Sequence, residues 1–194
     1  VIEITDLGNW AQTPRLEGPV AGRSGDHLIV AGGRSLDDDV MVWNDTVHML
    51  DLRSGQWHAH PDPLPRPTAH AISLTHPTHG IVVVGGTDGT RHHAESFLLR
   101  QIDGRLEYEA LPDLPVPCAH GSGVLIGDMV CVVGGTTSPD AGTASARTWT
   151  LNSSEHEPVW IERAPLPDGG RMLAVAGTDG RRLLLLGGCE LVDG

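Results

Sequence analysis

The chain has 194 residues and a formal charge of −12, from 13 basic and 25 acidic side chains with histidine neutral. That balance argues against a nucleic-acid surface, which needs clustered lysine and arginine, and against docking on anionic lipid. No apolar run approaches the ~18 residues of a membrane span, and 25 glycines with 14 prolines call for many short elements rather than a few long helices.

In chain order, residues 1–16, with Trp10, read as an outer strand whose partners precede it. From there four short apolar runs each end in a glycine pair: Leu28 to Gly33, Ile81 to Gly86, Val130 to Gly135 and Leu183 to Gly188. Bounded by turn residues and rich in aliphatic side chains, they read as buried strands. A second marker keeps step with the first, because Trp10, Trp57, Tyr108 and Trp160 recur with a leucine following each, at Leu16, Leu64, Leu114 and Leu166. Proline flanks three of these leucines. Between glycine pair and aromatic lies another β-like stretch, such as 46–51 or 94–99, so each period holds about four strands, the content of one propeller blade. The predicted fold is all-β: a β-propeller with blades at 17–63, 64–113 and 114–165 and the start of another at 166–194.

Closing these into a four-bladed ring would leave 16 residues between Gly188 and Trp10, against 24 between Gly33 and Trp57. The expectation is therefore about three and a half blades of a larger ring, from a chain that opens on Val1 without a methionine or signal peptide. The three cysteines, Cys118, Cys131 and Cys189, are too few for a disulfide framework and leave the compartment open.

The segment after each Leu-Pro junction starts an innermost strand, which lines the channel of a propeller. Aligning the junctions puts Ala21, Ala69, Ala119 and Arg171 at one position and Gly22, His70, His120 and Met172 at the next. A second ring follows the glycine pairs: Arg34, Thr87, Thr136 and Cys189. Histidine exchanges protons with hydroxyls near neutrality, so His70 and His120 are the candidate catalytic residues. Arginine offers a planar fork to a carboxylate, which makes Arg171 and Arg34 the candidate substrate-binding residues. A structural role for the histidines, bonded to neighbouring backbone, stays open.

Other groupings carry less. His58 and His60 share a strand face, yet beside Trp57 on an outer strand, and His92 and His93 point to opposite faces if extended. Asp37, Asp38 and Asp39 read as a solvated acidic tip, and Asp88-Gly89 and Asp179-Gly180 as turns rather than phosphate loops. Neither a Gly-x-Ser-x-Gly elbow nor a Walker loop occurs. No metal and no cofactor is implied.

The period resembles the kelch repeat. The junctions narrow the resemblance: residues 64–70 and 114–120, with 18–22, 28–33 and 170–173, are similar to the blade junctions of a bacterial family, the circularly permuted mutarotases related to N-acetylneuraminate epimerase. That resemblance covers roughly residues 16–190 and implies a six-bladed ring that interconverts the anomers of free sialic acid, a small acidic sugar. The family's best catalytic candidates are a glutamate and an arginine in a Gly-Glu-x-x-Pro-Gly-x-Arg stretch that this chain does not contain, so the segment is expected to be silent on its own unless the whole protein supplies it. The alternative is a non-enzymatic kelch module that binds a protein partner or a carbohydrate at the channel mouth. A copper-radical oxidase on the same scaffold is disfavoured, because the single tyrosine, Tyr108, occupies a structural tryptophan position.

Overall fold

The computed structural model describes residues 15–191; the expected outer strand with Trp10 falls almost wholly outside them, as do residues 192–194. Within them the chain is all-β. Strands β1 (Val20–Ser24) and β2 (His27–Ala31) form a hairpin, followed by a second small hairpin, β3 (Arg34–Asp37) with β4 (Val40–Trp43), and then by β5 (Val47–Asp51) and β6 (Gln56–His60). The first sheet has the order β1-β2-β5-β6, every pair antiparallel, with β3-β4 standing outside it. The second sheet repeats this with β7 (Ile72–His76), β8 (Gly80–Val84), β9 (Ser96–Ile102) and β10 (Arg105–Leu111). A third follows with β11 (Ser122–Ile126), β12 (Met129–Val133), β13 (Thr148–Asn152) and β14 (Ile161–Arg163). A two-stranded sheet, β15 (Val175–Thr178) with β16 (Leu183–Leu186), ends the described residues. No helix among them is long and apolar enough to cross a membrane.

Successive sheets pack face to face, and the alternation of β8 shows how. Ile81 and Val83 join Ile29, Met49 and Leu99 in the core between the first and second sheets, while Val82 and Val84 join Val130, Val132 and Leu151 between the second and third. A period of two sends alternate side chains to opposite faces, so a strand flanked by sheets on both sides must be apolar throughout. All four side chains of that run are fully buried, each worth roughly 1.5–3 kcal/mol in transfer terms. β16 carries the same aliphatic pattern, but Leu184 and Leu186 are 43% and 65% exposed.

The glycine pairs weld each sheet to the next. The second glycine donates its N–H to the next junction: Gly33 to the Thr68 carbonyl, Gly86 to Cys118 and Gly135 to Arg171, each at 2.8 Å. A Cβ on the first glycine, at Gly32 or Gly85, would stand 2.2 or 2.1 Å from that same carbonyl, and both have positive φ. Only glycine permits that approach. The recurring aromatics also reach backward: the Tyr108 hydroxyl donates to the Pro63 carbonyl at 2.9 Å and the Trp160 indole N–H to Pro112 at 2.8 Å.

Two points of register differ from the sequence expectation. The isolated bridges pair Glu17 with Arg34, Ala69 with Thr87, Ala119 with Thr136 and Met172 with Cys189. The second ring therefore stands as aligned, but Glu17 and Met172, rather than Ala21 and Arg171, match Ala69 and Ala119. Leu16 accordingly sits where Thr68 and Cys118 sit, packed on the glycine pair, and does not correspond to Leu64. The fourth junction holds one residue more than the second and third between its leucine and its bridge, which moved Arg171 out of step.

Candidate functional site

Two residues before each innermost strand lies a residue in the left-handed backbone region: Gly18, His70, His120 and Leu173, with φ between 54° and 61°. Non-glycine residues adopt this conformation at a cost of roughly 1–2 kcal/mol. A run of hydrogen bonds between blades holds it: His70 N–H donates to the Gly18 carbonyl at 2.8 Å, His120 N–H to His70 at 3.0 Å and Leu173 N–H to His120 at 2.9 Å. The geometry brings the innermost strands together and turns successive side chains onto one another. A Cβ on Gly18 would lie 2.4 Å from His70 Nδ1, so the imidazole occupies the space that glycine leaves. The His70 and His120 rings stack at 4.3 Å between centroids, tilted by 36°, and His92 meets His120 edge-on at 5.9 Å.

Arg34 closes one side. Its Nε and Nη2 donate to the two Glu17 carboxylate oxygens at 2.9 and 2.8 Å, a forked pair. Glu17 Oε1 is also 3.9 Å from His70 Nε2, beyond hydrogen-bond reach. His92 Nε2 and the Thr136 hydroxyl lie 3.0 Å apart. His70 Nε2 and His120 Nδ1, both buried, have no hydrogen-bond partner among the described residues. A cavity of about 330 Å³ opens here, walled by Arg34, Trp43, His92, His120 and Thr136, and a shallower one of about 280 Å³ lies against Gly18, His70 and His120.

Burial sets the protonation states. Removal from water, then the neighbouring His120 and the Arg34 charge, depress His70 to about 4, with Glu17 acting the other way. Burial followed by Arg34 lowers His120, and burial followed by His120 lowers His92. All three imidazoles are thus neutral at pH 7, able to donate from one nitrogen and accept at the other. The Arg34 hydrogen bond holds the Glu17 carboxyl below its ordinary value. Among the described residues, no group of three or more histidine, cysteine or acidic side chains is placed to hold a metal ion.

Of the four residues singled out by sequence, the structure gathers His70, His120 and Arg34. Arg171 lies apart: its Nη1 donates to the Gly187 carbonyl at 3.2 Å, against β16 and beside Asp168. His92 and His93 face different surroundings, the former Thr136 and the latter Asp88 and Glu95. Asp88 is committed locally, its Oδ1 accepting from the Thr90 and Arg91 N–H groups. The sequence reading missed Glu17 and Trp43. Counting back two residues from each innermost strand, instead of forward from each leucine, would have put Glu17-Gly18 in register with Ala69-His70.

Four-stranded antiparallel sheets, packed face to face with their first strands innermost and their glycine pairs tied to the next junction, define the described residues as an arc of a kelch-type β-propeller. No protein-family model and no curated protein sequence matches the chain. Among solved structures, that of YjhT superposes on it with a TM-score of 0.76 at 16% sequence identity, covering 89% of this chain and 59% of YjhT. That similarity establishes the fold alone, and the chain spans less than two thirds of YjhT's length.

Proposed function

We propose that the protein carrying this chain interconverts the anomers of a free acidic sugar, with N-acetylneuraminate as the leading substrate. The observation that supports this reading best is the stacked pair of neutral histidines, each with an unpartnered ring nitrogen, beside Arg34. Opening a cyclic hemiketal moves the anomeric hydroxyl proton to a base, breaks the ring C–O bond and delivers a proton to the ring oxygen; closure on the other face reverses the steps. Neutral imidazole serves both directions, because it accepts at one nitrogen and donates at the other. His70 and His120 are the acid/base candidates this chain offers. Arg34 anchors the carboxylate in preference to Arg171, whose side chain is turned to the fourth sheet. Its Nη1 is left without a protein acceptor among the described residues once Nε and Nη2 bind Glu17.

The test is exchange NMR on the equilibrated anomers, which give separate signals. Acceleration of exchange above the buffer rate by the purified protein is the expected result. If the rate stays at the buffer value and no acidic sugar raises the melting temperature, the isomerase reading fails and a kelch binding module takes its place.

A further inference from the structure

The loops that follow the glycine pairs of the three four-stranded sheets differ in one respect. Those of the second and third sheets, 87–95 and 136–147, form no strand pair beyond the single Thr87–His92 bridge, whereas the first folds into the β3–β4 hairpin and ends on Trp43. In that hairpin Trp43 stands opposite Arg34, whose guanidinium carbon is 5.7 Å from the indole centroid. The other edge of the indole crosses to the second sheet and lies on Gly89: a Cβ there would meet Cε2 and Nε1 of Trp43 at 2.3 and 2.4 Å. Trp43 is half-buried and walls the cavity of about 330 Å³ that also contains Arg34, His92 and His120. Neither the junction residues nor the core accounts for an indole in this place.

We propose that Trp43 is a stacking platform that makes this cavity a site for a single acidic sugar, and that the β3–β4 hairpin exists to present it. The proposal rests on the acidic-sugar reading for its choice of ligand. A sugar ring has a face of C–H groups, which packs on an indole, and edges of hydroxyls, which need polar partners. The volume is at the small end for ligand sites, fitting one ring rather than an oligosaccharide. Arg34 serves two surfaces: it covers part of the indole and directs its remaining N–H groups to the carboxylate. The Trp43 ring thereby fixes which sugar face is presented to His120, and Gly89 keeps the ring seated.

The experiment is saturation-transfer NMR with N-acetylneuraminate and, for comparison, neutral N-acetylglucosamine, on the wild type, Trp43→Leu and Gly89→Ala. Trp43→Leu keeps apolar bulk and removes the aromatic face. Gly89→Ala leaves Trp43 in the chain but displaces it, at the added cost of strain in a backbone with φ 90°. In the wild type the acidic sugar is expected to bind, with transfer concentrated on one ring face. Both variants are expected to weaken binding by roughly five- to tenfold and to spread the transfer evenly. Circular dichroism of both variants should match the wild type. Faster anomer exchange whose KM is unchanged in Trp43→Leu overturns the platform while leaving the isomerase reading intact. Trp43-dependent binding without acceleration supports the platform and removes the isomerase. No binding of either sugar to the wild type at millimolar concentration overturns the proposal.

Discussion

Two stacked pairs of histidines lie at opposite ends of strand β7, and their ring geometry is almost the same. His70 and His120 stack at 4.3 Å with a 36° tilt; His76 and His79 stack at 4.4 Å with a 42° tilt. Their surroundings separate them. His76 Nε2 is 3.0 Å from Asp128 Oδ1, and its Nδ1 accepts from the Thr78 and His79 N–H groups, so both nitrogens are occupied. Asp128 belongs to the turn between β11 and β12, so this pair ties the second sheet to the third. His70 and His120 instead stand on left-handed backbone with one buried nitrogen each unpartnered. Stacking alone does not mark a site. A buried histidine with both nitrogens occupied, such as His76, is a structural joint, while an unsatisfied pair held at backbone cost is the arrangement expected where a ligand completes the bonding.

The largest effect expected from breaking this contrast is on chemistry. His70→Asn and His120→Asn are the suitable variants, because asparagine tolerates the left-handed backbone. Each should slow anomer exchange by about a hundredfold, the contribution of a positioned acid or base. His76→Asn should leave the rate near wild type and lower the denaturation midpoint. Equal rate losses at both ends of β7 would dissolve the distinction.

Gly18→Ala comes next, because it strains the backbone and expels the His70 ring from its seat. It should cost at least the roughly 1–2 kcal/mol of a left-handed alanine in urea melts, and it should also change the histidine signals in NMR. Asp128→Ala attacks the other pair. It strips His76 Nε2 of its acceptor at a cost of about 1–3 kcal/mol, toward the low end because Asp128 is half exposed and water can replace it. Sugar binding should be untouched.

The remaining effect is a pH slope. His70 is depressed from about 6.5 to about 4 in the folded chain. Between those values the unfolded chain binds more protons, so this group's contribution is fully present above pH ~6.5 and is lost as pH falls toward 4. His92 and His120 shift in the same direction and add to the slope. Urea melts at pH 7 and pH 4.5 should show a smaller loss for His70→Asn than for the wild type. Identical losses would mean that His70 is solvated in solution.

The repeat was written in the sequence. Gly32-Gly33, Gly85-Gly86, Gly134-Gly135 and Gly187-Gly188 each follow a strand at the expected place; in the first three pairs a carbonyl 2.1–2.3 Å from a Cβ position on the first glycine tolerates no other residue there. That His70 and His120 lie together was also legible, since equivalent places in successive blades come close in space. The hairpin β3–β4 was not. Its Asp38 and Asp39 turn, at φ 44° and 64°, was read only as an acidic tip, although Val40 to Trp43 has the composition of a strand. Which histidines are satisfied, where Arg171 points and what Trp43 covers were decided by tertiary structure alone. Each depends on a partner about 50 residues away or on a one-residue change in a junction. A repeating pattern fixes the period along the chain, whereas contacts between blades fix which atoms meet.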